Sequence, residues 1–494
     1  MKCNTPYSTI SRRHFLYTSG LTLASSALSA EKIIGANERI RVGFVGMGSR
    51  SAVLLKQFLN IPNVEVVAIC DPDTAQMQEQ MGVINKSITE AKNRNFTSTS
   101  VDTIQDYRKL YERSDIDAVI ISSPNHWHTL QAIHAVQAGK HVYLEKPLSF
   151  TPWEGHQLQA ATERYGKIIA PGFQNRSDPG PQNGIQFVQD GNLGKILKVR
   201  SLCYRNRDSI GSPLAQPLKI PSTMDFDLWL GPAQEQPIMR PKIHYDWHWD
   251  FNTGNGDMGN QGVHETDMVY WLLGHPGLPE QINCFGNRFA WNDAGNTPNM
   301  FTIWCKWGGV EVILETNDVK LGPDRNASSI RMGTRVGIVA ECEGGFLKGG
   351  RGGMVAVEPD EKTIIRRFKG DGGKSHQQSF IEAVRNNDSS TLPTTVAKST
   401  PAEAVMHFGN AAYRTGTLTD ESTLKSSVQG NEDLMEILSD QSEQLKAWGI
   451  NKPQYFAGKT VHLNTETGEV LKPLMGKELI GPNYRKGFEV PKLV

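Results

Sequence analysis

The 494-residue chain is poor in cysteine, with six in all and no CxxC pair or Cys/His spacing of the kind that builds a tetrahedral metal site. That argues against a zinc module and against a small scaffold held by disulfides. An excess of charge of either sign is also lacking, since 52 Lys and Arg stand against 52 Asp and Glu. Such a balance gives no basic face for nucleic acid and no patch for an anionic membrane. No stretch reaches the ~20 predominantly apolar residues of a membrane helix, so no stable span is expected in the mature chain. There is no internal repeat. Residues 344–353 are rich in glycine but lack the strand-to-helix context of a phosphate loop, and they read as turns between strands.

What is present begins with a targeting pattern. Arg12-Arg13 precedes Phe15-Leu16 and an apolar run to Ala30, with small residues at Ser25 and Ala27 or Ser29 and Ala30 as cleavage sites. Residues 1–30 resemble a twin-arginine export signal, which predicts a periplasmic or exported protein. A retained anchor and an ordinary basic N-terminus are the alternatives. Cys3 falls in the signal, and the other five cysteines read as small buried residues.

Directly behind the signal, residues 40–45 form a short apolar run ending at Gly46-Met47-Gly48-Ser49-Arg50-Ser51. A buried parallel strand, a glycine turn and a helix opening near Ser51 are predicted, which is the setting in which backbone N–H groups and a helix dipole hold a pyrophosphate. Ser51 stands where the third glycine of the fingerprint is usual. A second strand, residues 64–70, ends at Asp71, 25 positions after Gly46. A carboxylate there accepts from adenosine ribose hydroxyls and repels a 2′-phosphate, so NAD is favoured. Arg50, able to reach either phosphate, keeps NADP open. Another buried strand, residues 116–121, leads into Ser123-Pro124-Asn125-His126-Trp127-His128, and residues 141–144 lead into Glu145-Lys146-Pro147. Polar residues at the carboxyl ends of parallel strands are where open α/β sheets bind ligands.

These motifs, in this order, resemble the glucose–fructose oxidoreductase and inositol dehydrogenase (Gfo/Idh/MocA) family. Residues 227–233 and 244–271 are similar to its exported bacterial branches, and the resemblance spans residues 39–417. It implies a Rossmann domain over 39–173 and an α+β substrate domain over 174–417 with a large, mostly antiparallel open sheet. Residues 418–494 are a C-terminal extension with one amphipathic helix, about 431–448, suited to oligomer contacts. The resemblance also implies a bound nicotinamide cofactor, sugar or polyol chemistry, and Lys146 beside nicotinamide and substrate, with Pro147 shaping the turn, often as a cis peptide. Cofactor contacts are expected from Gly46, Met47, Gly48, Ser49, Arg50, Asp71, Ser123, Pro124, Asn125, His128, Glu145 and Lys146. A homo-oligomer is expected.

The residues themselves are compatible with this role for Lys146, because a lysine emerging from an apolar strand is partly desolvated and holds its proton less firmly. Pairing with Glu145 is the structural alternative. In the second half, glycines at 254, 256, 259 and 262 precede a helix predicted to open near His264. A histidine there suits a general base, kept neutral by the helix N-terminus. His264 matches the histidine of the family's Asp-x-x-x-His motif, but Asn260 stands at the Asp position and cannot relay a proton. Asp257 is the alternative acid, and Asp267 shares a helix face with His264. Trp127, Trp247 and Trp249 offer apolar faces to a sugar, and His126, His128, His244 and Arg176 offer polar contacts. No metal is expected.

The leading expectation is an exported NAD(P)-dependent oxidoreductase that moves hydride between a sugar, glycoside or polyol hydroxyl and a tightly held cofactor. An oxidative glycosidase, which oxidises, eliminates, hydrates and reduces, ranks second because the loop diagnostic of the N-acetylgalactosaminidase branch is not recognised. A non-catalytic sugar-binding protein on the same scaffold is third.

Overall fold

The computed structural model describes residues 39–90, 100–472 and 479–494, without the side chains of 87–90. The export signal and Cys3 lie outside the described residues. The first six strands are β1 Ile40–Val45, β2 Val64–Cys70, β3 Asp102–Ile104, β4 Ala118–Ile121, β5 His141–Leu144 and β6 Ile169–Pro171. β2, β4 and β6 are buried at every residue, as strands covered by helices on both faces must be. All pairings are parallel, in the order β3-β2-β1-β4-β5-β6. The order reverses between β1 and β4, so a crevice opens where the loops after these two strands part.

A second, 11-stranded sheet follows. Its strands are β7 Ile196–Tyr204, β8 Gln281–Asn287, β9 Met300–Trp307, β10 Val310–Asn317, β11 Val336–Cys342, β12 Gly345–Gly350, β13 Gly353–Val357, β14 Ile364–Lys369, β15 Thr417–Asp420, β16 Gln454–Ala457 and β17 Val461–His462. It is antiparallel except where β10 runs parallel to β7. The Rossmann-like and mostly antiparallel layers are those expected. Helices Pro179–Gln189, Val263–Leu272 and Val396–Arg414 cover one face of the second sheet. The last of these starts five residues before Pro401, where proline alone would set the start, because Thr395 caps it by accepting from Lys398 N at 3.4 Å.

The extension packs on its own chain. Helix Glu432–Ala447 sets Leu434, Ile437 and Leu438 against Phe285, Met300 and Ile313 on the other face of the sheet. Asp433 and Glu436 at its start meet Lys198, Arg200 and Arg331. β15, β16 and β17 widen the sheet beyond β8. Residues 479–494 then return to the first domain, where Tyr484 OH donates to Glu154 Oε1 at 3.0 Å and Leu493 N to Gln157 Oε1 at 2.6 Å. Among the described residues no helix is long and apolar enough to cross a membrane, and the described cysteines are all free and buried.

Candidate cofactor and substrate cleft

The crevice between the first domain and the chain beyond it holds about 740 Å³, within the range of sites for cofactor-sized ligands. Gly46 turns the chain at φ +83°, and a Cβ on it would lie 2.5 Å from Ser123 N, so only glycine fits. A Cβ on Gly48 would meet nothing within 4 Å, which leaves this backbone open to a ligand. Helix Ser49–Leu59 starts here with no side-chain cap and no acid in its first turn. Its N–H donors are therefore available to an anion, and they fit a dinucleotide's phosphates.

Asp71 lines the cleft at the end of β2, but its carboxylate is already engaged, taking Met47 N–H at 2.7 Å and Asp73 N–H at 2.8 Å. It thus braces the glycine loop while lining the cleft, and burial pushes its pKa up against these two donors. Glu79 and Asp106 line the same end, and although Asp106 is paired with Arg108 at 2.7 Å, Asp71 and Glu79 leave it acidic enough to disfavour a 2′-phosphate. Met47, expected as a cofactor contact, does not line the cleft: its side chain is buried in the core and its N–H is taken by Asp71. Arg50 does not stand free for phosphate: it pairs with Glu145 at 2.6 Å.

At the opposite end, β5 delivers Glu145 and Lys146, and the Lys146–Pro147 peptide is cis. Lys146 is half-buried, and its Nζ donates to the main-chain oxygen of Asn260. Burial holds its pKa down at about 8, against the pull of Glu145, which raises it. Asn260 lies in a π-helical turn, Met258–Gly262, at the entrance to helix Val263–Leu272, and it lines the cleft with Lys146. His264 is the second residue of that helix. It is 4% exposed, lies edge-on to Phe173 and is not among the residues that line the cleft. Burial, with the Arg351 and Lys146 charges nearby, keeps it neutral, and its Nδ1 has no hydrogen-bond partner.

The structure separates several expected sugar contacts from the cleft. Arg176 and Asp267 bind each other in a buried bidentate pair at 2.7 and 2.8 Å, under the face of Trp271. Asp257 is buried behind Asn260 on Arg207, at 2.8 Å. His128 does line the cleft, but its ring nitrogens face Pro147 O at 2.6 Å and Ser123 O at 2.8 Å, so it shapes the two loops. Trp127 also lines the cleft, with its Nε1–H donated to Trp229 O and its ring edge-on to Phe488. His244 lines the cleft at the end near Asp71, 2.8 Å from Asp73. Ser123, Pro124 and Asn125 line the wall, with Ser49, His128 and Glu145.

Sequence reasoning picked out Trp247 and His244 but not the wall they belong to. After β7 the chain leaves the sheet, and residues 205–250 form a strap across the cleft with its own apolar cluster around Trp229, Leu230 and Ile243. Thr74 N donates to Thr223 O and Asp225 N to Pro72 O, both at 2.9 Å, tying the strap to the loop after β2. Trp229, Tyr245, Trp247 and His248 face the cleft from the strap. The aromatic and histidine density of residues 244–249 was the available signal, but nothing local gives the 171-residue reach from Asp73 to His244.

Residues 40–173 match the oxidoreductase family model described as an NAD-binding Rossmann fold, and residues 186–331 match that family's C-terminal alpha/beta domain. A glycosyl hydrolase family 109 protein of Shewanella sp. (strain MR-4) is 38% identical over 181 residues, and an alpha-N-acetylgalactosaminidase of Shewanella oneidensis is 35% identical over 181 residues. Each alignment covers 32% of this chain and 38% of the relative, so the likeness spans well under half of either protein. The WlbA dehydrogenase of Bordetella pertussis, solved with NADH and UDP-GlcNAcA, superposes with a TM-score of 0.54 at 17% identity, over 75% of this chain and 96% of that one. A levoglucosan dehydrogenase solved with NADH and levoglucosan gives 0.54 at 16% identity, over 74% and 95%. The glycine loop, the acid after β2 and the glutamate–lysine–proline turn all lie within the first of these models, the two models together match more than half of the chain, and the chain belongs to the Gfo/Idh/MocA oxidoreductases, with their NAD-binding Rossmann fold.

Proposed function

We propose that this protein moves hydride between a sugar or polyol hydroxyl and an NAD kept under the strap, and that it does so outside the cytoplasm, where residues 1–30 would send it. The observation that carries the reading is the meeting of Lys146 and Asn260 at one end of a cleft whose other end has the uncapped helix and Asp71. NAD supplies the hydride acceptor and donor. Lys146, with a pKa of about 8, is partly neutral near pH 8 and can take or hold the hydroxyl proton at Nζ. His264 sits behind the cleft lining, but its buried Nδ1 has no partner, and such an atom is costly unless a ligand satisfies it, which makes it the second candidate to accept that proton. Asn260 binds a hydroxyl but passes no proton.

A strap over the cleft suits a cofactor that stays bound, so each turnover must return its hydride. The glycosyl hydrolase family 109 relatives favour one way of doing this, the oxidative glycosidase route: oxidation of a ring hydroxyl, elimination of the glycoside, addition of water and reduction. The test incubates purified protein, without added NAD, with a panel of glycosides and free sugars. Reducing sugar released without net NADH supports the glycosidase route, and oxidation of one sugar coupled to reduction of another supports exchange. Wild-type and His264→Ala proteins that are equally silent towards every sugar would sink both.

A further inference from the structure

Behind Asn260 lies a buried polar group that the reaction scheme above does not use. Asn260 Nδ2 donates to Asp257 Oδ1 at 2.9 Å, and Arg207 Nη2 donates to the same oxygen at 2.8 Å. Asp318, the residue after β10, is fully buried, and no N–H or O–H group donates to either of its carboxyl oxygens. Its neighbour is the Asp257 carboxyl, within hydrogen-bonding reach. Two carboxyl groups can lie so close only if one of them carries the proton. One guanidinium and one shared proton thus leave a single net charge balanced at the pair, with Asp318 as the protonated partner donating to Asp257.

We propose that Asp257 and Asp318 are positioning residues that fix the Asn260 side chain with its NH2 turned away from the substrate and its Oδ1 left to accept a hydrogen bond from a substrate hydroxyl beside Lys146. This rests on the oxidoreductase reading for the identity of the substrate, but the orientation itself does not. An amide has two chemically different ends, and only the NH2 end can face an anion without repulsion. The Asp257 charge therefore decides which end is left for the cleft that Asn260 lines. The same residue's main-chain oxygen holds Lys146 Nζ, so one short turn sets both the amine and the acceptor. A free carboxylate at position 260 would offer two acceptor oxygens and a charge. The fixed amide offers one acceptor and none, and so selects a hydroxyl that donates, in one direction, and discriminates against a ligand whose group there can only accept.

Two measurements test this. In the first, protein labelled with 15N-asparagine is followed by hydrogen exchange of side-chain amides, with the Asn260 signal assigned by its loss in Asn260→Ser. The Asn260 NH2 is expected to be protected in the wild type and to lose that protection in Asp257→Asn. Asp318→Asn, which replaces the shared proton by an N–H donor, is expected to keep more protection than Asp318→Leu, and it serves where Asp257→Asn does not fold. Equal exchange in wild type and Asp257→Asn overturns the proposal. In the second, a double-mutant cycle is read on kcat/KM with bound nucleotide checked in each variant. Asp257→Asn and Asn260→Ala are each expected to lose about tenfold or more, mainly through KM, and the double variant no more than the worse single. Losses that multiply would overturn it. A wild type that turns over no sugar would refute the oxidoreductase reading alone, because the exchange measurement still decides the orientation.

Discussion

Lys146 and Asn260 show what a residue owes to its neighbours. Burial costs Lys146 some hold on its proton, so the neutral amine that can accept from a hydroxyl becomes the majority only as pH rises through about 8. Sugar oxidation is expected to climb across that pH and level off above it. Lys146→Met should lower kcat by about 10²–10⁴-fold with bound NAD retained, as stopped-flow traces and nucleotide content would show. Loss of NAD together with activity would instead make Lys146 a cofactor ligand only. Gly46, Gly48 and Asp71 were legible in the sequence because their demands are local: a positive φ, an open backbone, an acid at a strand end. Arg176 and Asp267 were misread because the partner that satisfies each lies 91 residues away, and a charged residue near a site looks free until its partner is placed. Breaking that buried pair by Arg176→Met should cost about 3–5 kcal/mol, seen as a lowered unfolding midpoint. Undiminished stability with lost sugar affinity would return Arg176 to the substrate.

At the level of elements, β1 to β6 and the helix after the glycine loop could be read from apolar runs and turn residues, but the strap could not. Residues 205–250 have little regular structure, and their place is set by contacts to Pro72, Asp73 and Thr74. Asp73→Ser is expected to speed NAD release about tenfold, the equivalent of one lost charge-assisted contact, measured by dilution of labelled NAD. An unchanged release rate would mean the strap does not retain the cofactor. Helix Val396–Arg414 gives a stability test with a definite sign. Buried Glu403 accepts Leu148 N–H at 2.6 Å, and burial raises its pKa to about 8. A group raised in the folded state contributes stability that is full below its unfolded pKa of about 4.3 and is lost as pH rises through about 8. The unfolding midpoint of Glu403→Gln should therefore fall less than that of the wild type between pH 5 and 8.

Across the whole molecule, two sheets and a returning tail enclose one cleft. The extension's helix was visible as an amphipathic run, but its docking on the chain's own sheet was not, because the cations it meets, Lys198, Arg200 and Arg331, belong to distant segments. The family frame was legible from three short motifs, while the strap and the Asp257–Asp318 pair are properties of this chain's long-range packing. Under the proposed function, this packing would hold NAD in place while its hydride leaves and returns. The most direct test is the nicotinamide absorbance of purified protein, with no cofactor added, after mixing with substrate glycoside. The account predicts a transient rise, no larger than the bound nucleotide, that decays as product forms and is absent in Lys146→Met. A protein that purifies without nicotinamide nucleotide, or whose absorbance never moves with any sugar, would contradict it.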